Sequence, residues 1–283
     1  MKQTKIVASI SDLRCEVDFI KELCDAGVNV VRINTAHATP EGIKRVIDNV
    51  RTVSPHIAIL MDTKGPEIRT TSVEEHIYFK TGDRLKICGN PLEMTTRECV
   101  NVSYQNFVND INIGNDILIN DGELSMKVIG KTGDALFVEV QNDGKLGNRK
   151  SVNVPGVHIN LPALTEKDIA NIKFAIKENI DFIAHSFVRS KADVKAVQDI
   201  LDEYNSDIQI ISKIENQEGV DNIDEIIEAS YGIMIARGDL GIEVPFENIP
   251  GIQRKIIRKC VLSKKPVIVA TQMLHTMINN PRP

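Results

Sequence analysis

Apolar runs of five to seven residues alternate along most of this chain with segments whose apolar residues recur at helical spacing. Short apolar runs that are joined by helices form βαβ units, in which successive strands lie parallel. The pattern predicts strands at residues 4–10, 28–33, 57–61, 181–186, 208–214, 232–236 and 266–271. Helices are predicted at residues 15–26, 40–53, 166–179, 191–204 and 251–263, with a further helical segment between the fifth and sixth strands.

Eight parallel strands close a (β/α)₈ barrel, because closure removes the exposed edges of the sheet. The seven predicted strands leave two interpretations: an open α/β sheet, or a TIM (β/α)₈-type barrel that lacks its last strand. We favour the second interpretation, under which the chain is short of its C-terminal part. A further turn of helix is predicted at residues 273–278.

The α/β alternation is interrupted between residues 71 and 156, where no long helical pattern is found. Turn signals recur there instead, including Asn120-Asp121-Gly122 and Asn142-Asp143-Gly144, between short runs of alternating polarity. An Asp-Gly pair between such runs is a strong signal for a β-hairpin. We therefore predict a small antiparallel β-barrel domain at residues 71–156, inserted between the two parts of a (β/α) barrel domain at residues 1–70 and 157–283.

The composition argues against several classes of protein. The net charge of -5 and the aromatic content of 4% disfavour nucleic-acid binding. The N-terminus shows no secretory signal and the chain has no run of 18 apolar residues, which predicts a cytoplasmic protein without a membrane segment. The five cysteines form no CxxC pair and are predicted to be reduced, buried thiols. Neither GxGxxG nor GxxxxGK[ST] occurs, which excludes nucleotide binding through either loop.

Three charged residues follow the fifth and sixth predicted strands. Lys213 and Glu215 are two positions apart and point to the same side of the strand, and Asp239 lies just past the next strand. Because the carboxyl ends of parallel strands share one edge, these side chains should converge there. Two carboxylates suit a magnesium ion, and an ammonium beside it can stabilise a transferring phosphoryl group or an enolate. The alternative is that the three residues are ordinary charges near loops.

Polar side chains also end the second, third and seventh predicted strands: Arg32 and Asn34, Asp62 and Thr63, and Thr271. Arginines such as Arg32, or Arg69 beyond the third strand, can hold phosphate or carboxylate in a bidentate fashion. The oxygens of Asn34, Asp62 and Thr63 suit a monovalent cation. For each residue alone a surface salt bridge or a helix cap is the usual alternative. Polar groups at five strand ends on one edge indicate a shared site.

Several longer motifs resemble those of the pyruvate kinase family. They are DTKGPEIRT at residues 62–70, VNVPG at 152–156, LPALTEKD at 161–168, SKIENQEG at 212–219, GIMIARGDLGIE at 232–243, PVIVATQML at 266–274 and NPRP at 280–283. The resemblance runs from Thr4 to the last residue. It implies a (β/α)₈ barrel, a β-barrel lid after strand three and a C-terminal α/β regulatory domain. We therefore expect this chain, which ends after strand seven, to be a fragment or a truncated gene product without that C-terminal domain.

The resemblance also implies an activity. Members transfer phosphate from phosphoenolpyruvate to ADP, giving pyruvate and ATP, with magnesium and potassium as cofactors, and a homotetramer is expected at full length. The implied catalytic residues are Lys213, which stabilises the phosphoryl group and the enolate, Arg32, which contacts the substrate phosphate, and Thr271. The implied binding residues are Gly238, Asp239 and Thr271 for the substrate carboxylate, Arg69 and Lys150 for the nucleotide, Glu215 and Asp239 for magnesium, and Asn34, Asp62 and Thr63 for potassium.

The chain departs from the family pattern in places. The Gly-Pro turn after the first strand is replaced by Ser11-Asp12. The serine that gives potassium a further oxygen is replaced by Ala36, which leaves the fourth potassium ligand open. Glu67 keeps the residue type that accompanies a potassium requirement in this family. The usual MLESM reads MLHTM at residues 273–277, and no function is assigned to that change.

Two alternatives to this interpretation stay open. A magnesium-dependent aldolase of the phosphoenolpyruvate/pyruvate barrel superfamily also uses a Glu and an Asp at strand ends. The inserted β domain and DTKGPEIRT argue against it. The other alternative is a catalytically inactive fragment that only binds a ligand or partner, because every predicted site residue is present while the predicted barrel is incomplete.

Overall fold

The computed structural model describes residues 4–35, 38–271 and 275–281 of the chain. Ala36, the segment 272–274 and the last two residues of the NPRP motif lie outside these residues, so the predictions made for them are not addressed by the structure. The first part of the chain forms β1 (Val7–Ser9), α1 (Val17–Asp25), β2 (Val30–Ile33), α2 (Pro40–Val53) and β3 (Ala58–Asp62).

The remaining elements follow in two groups. The inserted segment forms β4 (Ile77–Phe79), β5 (Arg84–Cys88), β6 (Cys99–Asn101), α3 (Phe107–Asp110), β7 (Asp116–Ile119), β8 (Leu124–Lys131), β9 (Leu136–Val140), β10 (Gly144–Leu146) and β11 (Val152–Asn153). The second α/β part forms α4 (Glu166–Lys177), β12 (Phe182–His185), α5 (Lys191–Glu203), β13 (Gln209–Ile214), α6 (Gln217–Asp221), α7 (Ile223–Ala229), β14 (Gly232–Ala236), α8 (Arg237–Glu243), α9 (Ile249–Leu262) and β15 (Val267–Ala270). Short 3-10 helices lie at Phe246–Asn248 and His275–Ile278.

The strands of the two α/β parts form one parallel sheet. Among the described residues this sheet has seven strands in the order β1-β2-β3-β12-β13-β14-β15. β3 pairs directly with β12, with Asp62 opposite Ala184, although the whole inserted segment separates them in sequence. The parallel order confirms the predicted sheet of a (β/α)₈-type barrel, with β1 and β15 at its two ends.

Side chains of this sheet alternate between an outer face, which the helices cover, and an inner face. The outer face contributes Ile59 and Ile183 to a core that also contains Val46 and Val50 of α2. The inner face carries a smaller buried cluster of Leu60, Ala184, Ile211 and Met234. Two residues further along the same face come Asp62, Ser186 and Lys213. The alternation of side chains along the strands therefore places polar groups at the carboxyl edge of the sheet.

Two helices of the α/β parts begin at capping threonines. Thr39 caps α2, with its Oγ1 accepting a hydrogen bond from the Gly42 N–H at 3.1 Å, and Pro40 lies in the first turn. Thr165 caps α4 and forms a capping box with Asp168. The buried Asp168 carboxylate also accepts a hydrogen bond from the Lys64 N–H at 2.8 Å. The start of α4 therefore holds the loop that follows β3.

The inserted segment forms a sheet in the order β11-β7-β8-β9-β5-β6 and a separate pair of β4 with β10. Neighbouring strands are antiparallel as predicted, except that β5 and β6 are parallel. Arg69 forms a bridge with Ser151, next to β11, and Thr70 forms one with Val102, next to β6. The segment that enters the insertion thus joins the two edges of its sheet, as expected for a small barrel.

The inserted sheet has a buried core of its own, which includes Phe107, Ile117 and Leu136. All its strands fall within the segment predicted at residues 71–156. The limits at 71 and 156 stay predictions for the boundaries of a domain.

Several predicted bounds differ from the structure. The strands predicted at residues 4–10 and 266–271 are shorter, because only Val7–Ser9 and Val267–Ala270 have ladder partners. The helical segment between the fifth and sixth strands is two helices, α6 and α7, which are separated at Asn222. The helix predicted at residues 251–263 starts two residues earlier, at Ile249. α3 was not predicted, because four residues are too few to show helical periodicity.

The cysteines are free, but not all of them are buried. Cys15 and Cys260 are buried as predicted, whereas Cys24, Cys88 and Cys99 are half-buried, so the prediction of burial is wrong for these three. The helices of the described residues include none with the length and apolar character that crossing a membrane requires.

Gly232 begins β14 at a point where the sheet leaves no room for a side chain. A Cβ atom there would lie 2.9 Å from both Ile211 Cδ1 and the Pro266 carbonyl oxygen. We expect Gly232→Ala to lower the free energy of unfolding by about 1–3 kcal/mol, because neighbouring strands must shift to accept the methyl group. Urea denaturation measures the change.

The matched control is Gly133→Ala, since nothing lies within 4 Å of the position that its Cβ would take. If Gly232→Ala were as stable as this control, the tight contact with Pro266 would not constrain the sheet.

Candidate active site

Lys213 lies at the end of β13 on the inner face of the sheet, with its side chain only 9% exposed. Its Nζ donates a hydrogen bond to Ser186 Oγ at 2.8 Å, and it lies 2.8 Å from Glu215 Oε1 and 3.3 Å from Asp62 Oδ2. Burial acts to lower the pKa of this ammonium, but the negative charges of Glu215 and Asp62 outweigh burial and raise the pKa from its ordinary value. Lys213 is therefore a fixed positive charge at neutral pH.

Glu215 and Asp239 place two carboxylates beside this ammonium. Glu215 follows β13 and is buried, and its Oε2 accepts a hydrogen bond from the Phe187 N–H at 2.7 Å. Asp239 lies in the first turn of α8. Burial and then the negative charge of Glu215 raise the pKa of Asp239 to about 7. The two carboxylates thus repel each other at a site where a divalent cation would stabilise the ionised form of both.

The carboxylate oxygens of Glu215 and Asp239 are of the type that binds magnesium, and they can accept a further contact. Glu215 Oε1 has the ion pair with Lys213 but no aligned hydrogen-bond donor among the described residues. In the same part of the chain, no group of three or more His, Cys, Asp and Glu side chains is arranged to hold a metal ion. Glu215 and Asp239 alone would therefore rely on water and substrate oxygens to complete the coordination, which is usual for magnesium.

Asp62 joins the second and third strands of the sheet to Lys213. Its carboxylate accepts two hydrogen bonds from Arg32, one from Nε at 2.9 Å and one from Nη2 at 2.5 Å. Arg32 Nη1 also donates to Ser9 Oγ at 3.1 Å. The hydrogen bond with Asp62 is the main reason why the pKa of Arg32 is raised from its ordinary value. This bidentate contact holds the guanidinium in one orientation at the edge of the sheet.

The predicted potassium ligands Asn34, Asp62 and Thr63 lie at two neighbouring strand ends. Asn34 is exposed directly after β2, and Asp62 is the last residue of β3. Thr63 Oγ1 accepts a hydrogen bond from the Ser186 N–H at 2.9 Å, and the Thr63 carbonyl accepts one from Ser186 Oγ at 2.7 Å. These amide, carboxylate, hydroxyl and carbonyl oxygens are the donor types that suit a hard cation.

Thr271 and Gly238 meet where β15 ends and α8 begins. The Gly238 N–H donates a hydrogen bond to Thr271 Oγ1 at 3.0 Å, and Arg237 Nε donates one to the Ala270 carbonyl at 3.2 Å. Thr271 has a φ angle of 60°, which is rare for a β-branched residue. Backbone strain of this kind clusters at functional sites. Two of the residues predicted to hold the substrate carboxylate are thus in contact.

Arg69 and Lys150 lie on the two chain segments that enter and leave the insertion, and these segments are hydrogen-bonded to each other. The Thr70 N–H donates to the Lys150 carbonyl at 2.8 Å, and the Lys150 N–H donates to Thr70 Oγ1 at 2.9 Å. The Arg69 guanidinium forms a bidentate pair with Glu67, at 2.7 Å from Oε1 and 2.9 Å from Oε2. The two predicted nucleotide-binding residues therefore lie on adjacent backbone segments at the base of the inserted sheet.

A cavity of about 350 Å³ lies between the inserted sheet and the carboxyl edge of the parallel sheet. Its walls include Glu67, Asp121 and Ser151 on one side and Phe187, Arg189 and Asp239 on the other. A cavity of this volume accepts a small organic ligand.

Ser186 is a residue of the site that the sequence patterns missed. Its hydroxyl accepts a hydrogen bond from Lys213 and donates one to Thr63. A signal was available, because Ser186 ends the fourth predicted strand at the same edge as the other site residues. His185, the last residue of β12, is buried beside Ser186, and burial lowers its pKa to about 4. Its Nδ1 is 3.3 Å from Thr63 Oγ1, but its Nε2 has no hydrogen-bond partner among the described residues.

The ammonium, the guanidinium and the paired carboxylates meet at the carboxyl edge of a (β/α)-barrel sheet, where enzymes of this architecture place their active sites. Such an arrangement can hold a divalent cation between carboxylates and neutralise the oxygens of an anionic substrate. The fold and these side chains define a class of barrel protein whose candidate site is suited to a cation and an anion together.

Comparisons with known proteins show which family of barrel proteins this chain resembles. The family model for the pyruvate kinase barrel domain matches residues 1–283. The pyruvate kinase of Borreliella burgdorferi is 55% identical over 283 residues, which are 100% of this chain and 59% of that protein. The pyruvate kinase of Staphylococcus epidermidis is 46% identical over 289 residues, which cover 100% of this chain and 49% of that protein. A crystal structure of a pyruvate kinase from Cryptosporidium parvum superposes with a TM-score of 0.93 at 41% identity, covering 99% of this chain and 60% of that one.

The chain belongs to the pyruvate kinase family, of which it matches the barrel domain. It spans about half to three-fifths of the length of the curated relatives described above. Membership of this family implies a requirement for a divalent metal ion and a monovalent cation.

The raised pKa of Asp239 gives stability a pH dependence of definite sign. Its pKa in the folded protein is about 7, against an ordinary value of 3.8. Between these values the folded state binds more protons than the unfolded state, so the free energy of unfolding should fall as the pH rises from about 4 to about 7 without a divalent cation. Urea denaturation of the parent and of Asp239→Asn across this range measures the contribution.

We expect the stability of the parent relative to Asp239→Asn to decrease as the pH rises, because only the parent must ionise a carboxyl group beside Glu215. A relative stability that stays constant across the range would contradict the raised pKa.

Proposed function

We propose that the full-length protein is a pyruvate kinase, which transfers a phosphoryl group from phosphoenolpyruvate to ADP and gives pyruvate and ATP. The observation that carries the proposal is the buried Lys213 ammonium, held between Glu215 and Asp62 at the carboxyl edge of the sheet. A fixed positive charge in a site with little water stabilises an oxygen that becomes negative when its bond to phosphorus breaks. Family membership supports the same reaction.

In this reaction the bond between phosphorus and the bridging oxygen of phosphoenolpyruvate breaks, and the electron pair stays on the oxygen of the enolate. A terminal phosphate oxygen of ADP forms the new bond to phosphorus, and the enolate then takes up a proton to give pyruvate. Phosphoryl transfer depends mainly on positioning and on neutralised charge. We assign Lys213 to the charge on the phosphoryl group and the enolate, and Arg32 to the substrate phosphate.

The substrate carboxylate is assigned to Gly238, Asp239 and Thr271, with Thr271 as the third catalytic residue. The contact between the Gly238 N–H and Thr271 Oγ1 supports a shared role for the two residues. Arg69 and Lys150 are assigned to the nucleotide, and the hydrogen bonds between the two backbone segments that carry them support this assignment.

Glu215 and Asp239 are the residues that would hold magnesium, and Asn34, Asp62 and Thr63 are those that would hold potassium. Magnesium would neutralise phosphate oxygens and orient the substrate for in-line transfer. Asp62 already pairs with Arg32 and Lys213, so a potassium ion would share this carboxylate with two side-chain cations.

The proposed partners are phosphoenolpyruvate or pyruvate and ADP or ATP, without nucleic acid or membrane. A cytoplasmic location and a homotetramer of the full-length protein are further predictions from the resemblance. The division into barrel segments at residues 1–70 and 157–283 and an inserted lid at 71–156 belongs to the same proposal.

Replacing Lys213 by methionine keeps most of the side-chain length and removes the charge. In the full-length protein we expect Lys213→Met to lower kcat roughly a thousandfold, because several kcal/mol of transition-state stabilisation are lost. A coupled assay for ATP formation from phosphoenolpyruvate and ADP measures the rate. Lys195→Met is the matched control, because the Lys195 side chain is 70% exposed on α5.

Turnover by Lys213→Met within tenfold of the parent would refute the assignment. A parent enzyme that cleaves or condenses substrate without forming ATP would favour the aldolase, and binding without turnover by the 283-residue chain itself would favour the inactive fragment.

Magnesium binding should need both carboxylates, because neither can replace the anionic oxygen that the other supplies. We expect Glu215→Gln to weaken magnesium binding by about tenfold or more in the presence of phosphoenolpyruvate, since a neutral amide is a poorer ligand for a hard cation. Isothermal titration calorimetry with magnesium measures the affinity, with the exposed Glu203→Gln as control. An unchanged affinity would remove Glu215 from the metal site.

A further inference from the structure

One hydrogen bond connects the inserted sheet to the helix that carries Asp239. Asn153 Nδ2 donates to Glu243 Oε1 at 2.8 Å. Asn153 is the last residue of β11 and pairs with Leu118 of β7 in the inserted sheet. Glu243 is the last residue of α8, which belongs to the barrel part of the chain. The bond therefore spans the two parts of the structure.

The acceptor of this bond, Glu243, is a half-buried carboxylate. Burial raises the pKa of Glu243 from its ordinary value, and the hydrogen bond from Asn153 acts in the opposite direction by stabilising the ionised form. A half-buried carboxylate that loses its donor keeps part of the cost of desolvation. The bond therefore stabilises the contact between the inserted sheet and α8.

The position of α8 explains why the connection matters for the site. The helix has seven residues, so it is about 10 Å long. Glu243 is at one end and Asp239 lies one turn away, in the first turn at the other end. A short helix moves as a rigid unit, so a shift at Glu243 also displaces Asp239.

The same hydrogen bond lies in the wall of the cavity. Asn153 and Ser151 line the cavity from the inserted sheet, and Glu243 and Asp239 line it from α8. Ser151 Oγ donates to Asp121 Oδ1 at 2.7 Å, and Asp121 lines the same cavity. The inserted sheet and α8 therefore face each other across this cavity.

We propose that Asn153 and Glu243 are positioning residues, which set the distance between the inserted sheet and the carboxylates at the start of α8. The role deepens the proposed function, on which it rests, because it determines how the residues assigned to the nucleotide face those assigned to the metal and the substrate. Neither side chain is assigned a contact with substrate. Glu243 acts on the site through α8, and Asn153 acts on it through the segment after β11.

The test exchanges the donor and the acceptor of this bond in the full-length protein. Asn153→Asp places two carboxylates against each other, whereas Asn153→Asp combined with Glu243→Gln restores one donor and one acceptor with their places reversed. Glu243→Gln alone keeps an oxygen that can accept the original bond and should have a smaller effect than Asn153→Asp. Glu247→Gln, in the exposed 3-10 helix before α9, is the control.

Two readouts separate positioning from general stability. Amide hydrogen exchange of residues 151–156 and 237–244 reports the coupling directly and needs no activity. We expect Asn153→Asp to speed exchange in both segments by about tenfold and to lower kcat/KM for ADP by about tenfold, with the double variant returning to within about threefold of the parent. If Asn153→Asp does not fold, Asn153→Ala, which removes the donor without adding charge, takes its place.

The proposal is overturned if exchange changes only around position 153 and not in α8, or if the double variant shows the sum of the two single effects. A parent protein that forms no ATP would count against the proposed function alone, because the exchange measurements would still report whether the two segments are coupled.

Discussion

The whole site depends on one buried carboxylate that holds two cations. Asp62 accepts both hydrogen bonds of the Arg32 fork and lies 3.3 Å from Lys213 Nζ. Without it, the Arg32 guanidinium would lose its bidentate partner and Lys213 would keep only Glu215 as a paired carboxylate, which is costly in a buried site. Asp62 thus makes it possible for β2 and β13 to carry cations at one edge of the sheet, and these cations are already oriented for an anionic ligand.

Much of this arrangement follows from the two-residue period of a strand. The sequence pattern predicted that Lys213 and Glu215 share a face, and the structure places their charged groups 2.8 Å apart. It did not predict that Arg32 pairs with Asp62, because that contact depends on the register between two strands, which single-strand patterns do not contain. Ser186 was missed for a related reason. A serine at a strand end is common, and only its position between Lys213 and Thr63 makes it part of the site.

The fold was predictable where hydrophobic periodicity is strong. It was less predictable where hydrogen bonding determines the ends and the pairing of strands. The order of strands in the α/β parts is as predicted, because each strand buries one face in a shared core, whereas α8 lies outside the predicted helices. Strand ends were overestimated, since apolar residues continue beyond the last ladder partner, as they do before Val7. The parallel pairing of β5 with β6 was also missed, because hairpin signals indicate antiparallel neighbours.

The ends of the insertion are hydrogen-bonded to each other, with the Val152 N–H donating to the Ile68 carbonyl at 2.9 Å and the Thr70 N–H donating to the Lys150 carbonyl at 2.8 Å. These hydrogen bonds between the two ends of the insertion affect how the chain folds. β3 and β12 must find each other across more than a hundred intervening residues, and the entropy lost in closing a flexible loop grows with its length. Once the inserted sheet has formed, its two ends are already neighbours. β3 and β12 then have to find each other across a short connection only. The order in which the two cores form therefore decides how quickly the two parts of the barrel join.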